Sequence, residues 1–193
     1  MKTKNLKTDM IMVTIISFIG FWFEDIWMVF RHGVLDNRNM YLPFLIGYGL
    51  AVVAIYYVIG TPNKIFNKYD LRKPFNFILY ALLMMMIVSV GEVVLGTTVE
   101  KVLGYKYWNY EKIPLHITSY TSIPTSIGFS IVITLFMHFI YEPLRVKVDK
   151  ISNKIPMFIF IILIILFIID NFFSFRQMYI NGGRNMVWFI NFR

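Results

Sequence analysis

Glu24, Glu92 and Asp170 each fall late in a long hydrophobic run, and Glu100 follows Glu92 by eight residues. A charge at the middle of a membrane helix costs about 2.5–3.5 kcal/mol on insertion scales. Acids in such runs therefore face protein or water, and they suit a cation, a proton relay or a lipid headgroup. Arg31, His32, Arg38, Lys101 and Arg176 stand at the same ends of the runs and can pair with them. On a helix, Glu100 lies about 80° round and about 12 Å along from Glu92. Gly96 sits midway and lets another backbone approach, which predicts one small polar stripe turned inward. Beyond it come Tyr105, Tyr107, Trp108 and Tyr110, aromatics of the kind that settle among headgroups. The alternative for every acid is structural: it hydrogen-bonds a neighbouring helix and holds a bundle together. Asp25, beside Glu24, faces elsewhere on its helix and reads as an interface residue.

The elements that must position these residues are membrane helices. Of the 193 residues, 58% are hydrophobic and 16% charged, where soluble domains run at about 45–50% and about 25%. Mean hydropathy is +0.62. A span needs roughly 20 apolar residues, and five segments qualify: 10–30, 41–60, 75–99, 123–142 and 155–175. The fold class expected is an all-α transmembrane bundle in one integral domain, 1–193. Pro143 is expected to end the fourth span and Pro156 to open the fifth. The MVWFI stretch of the tail is too short to span and is placed at the interface. From these boundaries Glu24, Glu92 and Asp170 lie about 21, 25 and 22 Å along their spans, a common level in the outer third.

Basic residues set the orientation. Lys2, Lys4, Lys7, Lys64, Lys68, Arg72, Lys73, Arg145, Lys147, Lys150 and Lys154 make eleven on one side. Arg31, Arg38, Lys101, Lys106, Lys112, Arg176, Arg184 and Arg193 make eight on the other. The excess puts the N-terminus in the cytoplasm and the C-terminus outside a cell membrane. The basic N-terminus followed by an apolar run is like a signal peptide, but no small-residue cleavage site appears before Glu24, so an uncleaved first span is expected.

Several classes are excluded. The formal charge of +8 comes from bases between apolar runs, with no nucleic-acid-binding pattern, so no nucleic acid partner is expected. There is no cysteine, and hence no disulfide or thiolate chemistry. His32, His116 and His138 lack metal-ligand spacing; His138 reads as a packing residue. With no P-loop and no G-x-S-x-G, the chain has no nucleotide site, no assignable catalytic residue, and no expected cofactor or metal.

Four stretches resemble the CmpB family of bacterial membrane proteins, described as type IV ABC-transporter permeases, over roughly residues 15 to 175. FIGFWFEDIW is similar to the family's ending of span one and maps its acid onto Glu24. LDNRNMYLPFLIGYG is similar to an Asn-Arg-Gly loop leading to Tyr-Gly, and maps onto Asn37, Arg38, Tyr48 and Gly49. The most specific match is Glu92, Gly96, Glu100, Gly104, Trp108 and Tyr110. The fourth is YEPLRVKVDKISNKIP with the later FIIDNFFSF, which carries Asp170. The chain departs from the pattern at Asn39, where the family has Gly, and near Pro43, where it lacks Gly-Pro. The resemblance implies a permease. Five spans fall short of a permease pair, so it also implies a homo-oligomer and a separate ATPase docked on loops 61–74 and 143–154, although no long coupling helix is evident there. Two other readings stay open: a non-catalytic membrane partner or regulator, and a lipid-headgroup enzyme with Glu92 or Glu100 as general base and Arg38 on a phosphate.

Overall fold

The computed structural model describes residues 5–65 and 73–192. Of the bases used for orientation, Lys2, Lys4, Lys68, Arg72 and Arg193 lie outside the described residues. The described residues are mostly helical, and five helices are long and apolar enough to cross a membrane: Leu6–His32, Ile46–Ile65, Phe75–Leu103, Ile123–Ser152 and Met157–Asn181. It divides into two compact units, Met1–Val58 with Arg145–Arg193, and Ile59–Leu144.

In the first unit, α1 (Leu6–His32) starts at an Asn5 cap and ends at Gly33 in the left-handed region. It packs on α2 (Ile46–Val58) through reciprocal small residues. A Cβ on Gly49 would overlap the Val13 carbonyl, and one on Gly20 would meet the Tyr48 ring at 2.9 Å. Small residues of this kind let membrane helices close where no hydrophobic driving force separates protein from lipid. Helix α2 starts five residues later than the expected 41. Pro43 keeps its neighbour out of the helical region, and residues 41–45 are irregular, with the Leu45 N–H bonded to the Ser17 carbonyl.

The tail, too short to span as expected, folds back as a strand. Phe189–Asn191 (β2) pairs antiparallel with Val34–Asp36 (β1), Leu35 opposite Ile190. Three asparagines hold this crossing. Asn37 Nδ2 donates to the carbonyls of Met40 and Asn185, and its Oδ1 accepts from the Val187 N–H. Asn39 Oδ1 accepts from the Asn185 N–H. Arg38 and Asn39 both have positive φ, 46° and 63°. Asparagine tolerates that region, whereas for arginine it is a strained position maintained by its surroundings.

The opposite end of this unit is tied by polar contacts. Arg145 Nη1 donates to Asp9 Oδ1 at 2.6 Å and Nη2 to the Tyr57 hydroxyl at 2.8 Å, while that hydroxyl donates to Asp9 Oδ2. The guanidinium also stacks on the Tyr56 and Tyr57 rings. Thr8 donates to Asp149, and Lys7 donates to the Ile155 carbonyl. Arg145, counted above only as a topology charge, is thus a buried strut. Tyr57→Phe removes one bond to Arg145 and one to Asp9 and should cost about 1–3 kcal/mol, read as a lower unfolding midpoint in nanodiscs.

In the second unit, α3 (Pro62–Ile65) precedes α4 (Lys73–Leu103), whose Tyr80 is fully buried and donates to the Gly60 carbonyl. Ser126, Ser130 and Thr134 form the buried stripe of α5 (Ile123–Leu135). His138 packs edge-on to Phe77 and Phe139. Pro143 does not stop the fourth span. A π turn, Phe136–Ile140, carries α5 into α6 (Tyr141–Ser152). Proline removes one helical N–H and crowds the carbonyl behind it; the wider turn directly before it takes up that misfit. Most of the stretch read as a basic loop, 143–154, is therefore helix. The last helix, α7 (Met157–Asn181), also outruns its expected end and closes on Gly182 in the left-handed region.

Candidate functional site

The candidate residues fall into two groups, one in each unit. In the first unit the group forms where α1 reverses into β1. Arg38 Nε donates to Asp36 Oδ1 at 2.8 Å, and its Nη2 lies 2.5 Å from Asp36 Oδ2. Its Nε is also 3.2 Å from Asp25, and its Nη1 is 4.0 Å from Glu24. Asp25 is fully buried and its Oδ1 also accepts the Asp36 N–H. This corrects its expected place at an interface: α1 turns Asp25 inward, onto the guanidinium that the strained loop presents. Three carboxylates face one guanidinium, so the cluster is acidic by two charges when all are ionised. Their exposures differ: 0% for the Asp25 side chain, 4% for Asp36 and 34% for Glu24. Glu24, the least buried of the three by surface area, accepts a hydrogen bond from the Tyr48 hydroxyl. Asp36, Asp25 and Tyr48 therefore join Glu24 and Arg38 in the site. The Asp-Asn-Arg run next to a two-acid helix end was the available signal for Asp36.

Asp170 stands apart from this cluster, with no ion pair to it among the described residues. Its Oδ1 accepts the N–H groups of Tyr41 and Leu42 at 2.9 and 3.0 Å. Those amides need an acceptor because Pro43 excludes them from α2. Since α7 runs to Asn181, Asp170 lies near the middle of its 25 residues, whereas Glu24 lies about two-thirds along α1.

In the second unit, the stripe Glu92, Gly96, Glu100 is covered by the chain segment between α4 and α5. Gly104, at φ 76°, ends α4 and turns the chain back. Tyr120 then lies on Gly96 so closely that a Cβ there would overlap its ring. The glycine admits an aromatic ring, where the approach of another helix backbone was expected. The Tyr120 hydroxyl donates to Glu100, and the Thr121 hydroxyl donates to Glu92 at 2.8 Å. Ser126 extends this chain of hydroxyls from Thr121 to Ser89. Trp108 packs edge-on to Tyr120 and its Nε1 donates to the Tyr120 carbonyl. Tyr110 also hydrogen-bonds Glu92, and its N–H donates to the Ser119 carbonyl. Burial pushes the Tyr120 hydroxyl up to about 12, so it stays a proton donor to Glu100 throughout the physiological range.

A surface clasp closes this segment. Glu111 Oε1 accepts from Lys106 Nζ and from the Ser119 hydroxyl, both at 2.6 Å, and Asn109 adds a third bond. These bonds, led by Lys106, hold the Glu111 carboxyl at about 2. Because the folded value is depressed from 4.5, the clasp is complete above about pH 4.5 and is lost as pH falls through about 2. Trp108 fluorescence should hold steady from pH 7 to pH 4 and shift toward pH 2. In Glu111→Gln that acid transition should vanish.

No group of three or more His, Cys, Asp or Glu side chains suited to a metal ion occurs among the described residues. The arrangement offers one partly exposed carboxylate beside a guanidinium, and a second pair of half-buried acids hydrogen-bonded to their own loop. Neither curated proteins nor solved structures give a match. A family profile described as "Putative ABC-transporter type IV" matches residues 11–175. That match spans more than half of the chain and takes in the middle three apolar helices and most of the first and fifth, so the protein belongs to the CmpB family of ABC-transporter-type, multi-pass membrane proteins.

Proposed function

We propose that this chain is the permease subunit of an ABC-type transporter in the cell membrane, acting as a pair of copies with a separate ATPase. The observation that carries this reading is the family match across nearly all of the five apolar helices. The chain supplies spans and polar groups but no phosphate-binding loop, so hydrolysis falls to another subunit. With the N-terminus inside, as the basic residues favour, α6 faces the cytoplasm. Its Lys147 and Lys150 are exposed while Arg145, Val148 and Ser152 are buried. That amphipathic helix gives an ATPase a firmer docking element than the loop read from the sequence.

Glu24 supports a transport role better than Glu92 or Glu100 does, because it belongs to a net acidic cluster around one guanidinium. Glu92 and Glu100 accept bonds from their own loop, which suits a structural role. The deciding experiment is affinity purification of the tagged chain from mild detergent, with mass spectrometry of what co-purifies. A stoichiometric ATPase supports the permease reading. Recovery of the chain alone, or with a different membrane protein, moves the reading to a non-catalytic partner.

A further inference from the structure

Helices α4 and α5 pack antiparallel in a register that three contacts define. Phe77 meets His138 of the π turn, Ser89 donates to Ser126, and Thr121, just before α5, donates to Glu92. Since α4 ends only at Leu103, it rises about 16 Å above the level at which α5 begins. Residues 105–121 fold along those extra turns, with Tyr120 seated on Gly96. Val94, Leu95 and Val102 on the same turns are exposed. A hydrocarbon core of about 30 Å, counted from Phe75, reaches to about Leu95. Leu95 lies between Glu92 and Gly96, so the edge of the core falls level with Thr121 and Tyr120. The loop is sorted about that edge. The Lys106–Glu111 clasp follows directly on the end of α4, with Asn109 and Lys112 exposed beside it. Leu115 stands at the deeper end: its carbonyl accepts the Ile123 N–H, the first of α5, and the Ile117 N–H donates to the Thr121 carbonyl. Leu115 and Ile117 are 68% and 61% exposed, and Pro114 is exposed with them. Leu115 also has a φ of 59°, an uncommon region for a bulky residue. In water a strained backbone that holds an apolar side chain outward costs stability twice.

We propose that the tip 114–117 enters the acyl chains of the leaflet in which α4 ends, with Leu115 and Ile117 against lipid and the Lys106–Glu111 clasp among the headgroups. With the N-terminus inside, this is the outer leaflet. Acyl chains remove the cost of exposing Leu115 and Ile117, since lipid tails are as apolar as they are. Irregular backbone at that depth needs its bonds met inside the protein, and the Leu115 carbonyl and the Ile117 N–H have theirs in Ile123 and Thr121. His116, between the two apolar residues, keeps its Nδ1 3.2 Å from the Ile113 carbonyl. Trp108 and Tyr110, nearer the clasp in sequence, are aromatics of the kind that settle at headgroup level. The inference rests on the helices spanning a bilayer and stands whether or not the chain proves to be a permease.

The chain contains no cysteine, so Leu115→Cys, Ile117→Cys and Lys112→Cys each give a single attachment point for a nitroxide. The full-length variants are placed in phosphatidylcholine nanodiscs. Spin relaxation is then measured with oxygen, which concentrates among acyl chains, and with a water-soluble nickel chelate. Trp108 emission equal to the parent's shows that the loop is folded. Oxygen should be the stronger relaxant at 115 and 117 and the chelate at 112, a reversal of sign within a few residues. Should the cysteine variants fail to fold, the parent chain serves. Phosphatidylcholine with a photoactivatable group on one acyl chain should leave adducts within 114–117, located by peptide mass spectrometry. Chelate access at 115 and 117 equal to that at 112 would put the tip in water. Access by neither reagent would put it against protein, such as a second copy. Either result, or a parent chain without adducts in 114–117, would overturn the proposal.

Discussion

Replacing Arg38 with methionine should cost the first unit about 3–5 kcal/mol, the usual penalty for leaving a buried charge without its partner. Asp25 and Asp36 are almost entirely out of solvent, and Arg38 is the only cation among the described residues that forms an ion pair with them. Methionine preserves much of the side chain's bulk, so the loss reads as charge and not as a cavity. The effect is measured as the unfolding midpoint in nanodiscs. Adding Asp25→Asn to Arg38→Met should recover a large part of it, because removing a buried charge together with its partner is often close to neutral. Arg38→Lys should recover little, since one ammonium cannot replace a fork that reaches Asp36 through two nitrogens and Asp25 as well. If Arg38→Met unfolds at the parent's midpoint, the guanidinium is not what neutralises these acids.

The same cluster shows what a sequence reading can and cannot reach. Hydropathy located all five spans, because twenty apolar residues in a row admit few other readings. It missed ends where local chemistry outweighs composition. Pro43 delays α2 by excluding two amides, and Pro143 is absorbed by a π turn that no pattern in FMHFI announces. Glu24 and Arg38 were legible as an acid and a base near one helix end. Asp25 and Asp36 were not, since their roles depend on the reversal after Gly33 and on a positive φ at Arg38. The β pair escaped because three residues per strand carry no usable period, and the partners are more than 150 positions apart.

The Glu92, Gly96, Glu100 stripe was legible as a small, polar face, but its occupant was not. Tyr120 had no sequence mark that would set it apart from other aromatics in the segment. Its seat is defined by Gly96, and that dependence yields a strong prediction. Gly96→Leu places a branched side chain in the volume of the Tyr120 ring. The ring must leave, and it takes the Glu100 bond with it; Thr121, the next residue, is drawn off Glu92. Two half-buried carboxylates then lose their donors at about 1–3 kcal/mol each, so the second unit should lose roughly 2–6 kcal/mol. The direct readout is proteolytic. Lys106 and Lys112 lie in the covering segment, and trypsin should cut there far faster in Gly96→Leu than in the parent. Tyr120→Phe keeps the ring and removes only its hydroxyl, so it should cut at nearly the parental rate. Equal resistance of Gly96→Leu and the parent would mean that the loop is held by its own clasp at Lys106 and Glu111, with α4 serving only as the surface beneath it.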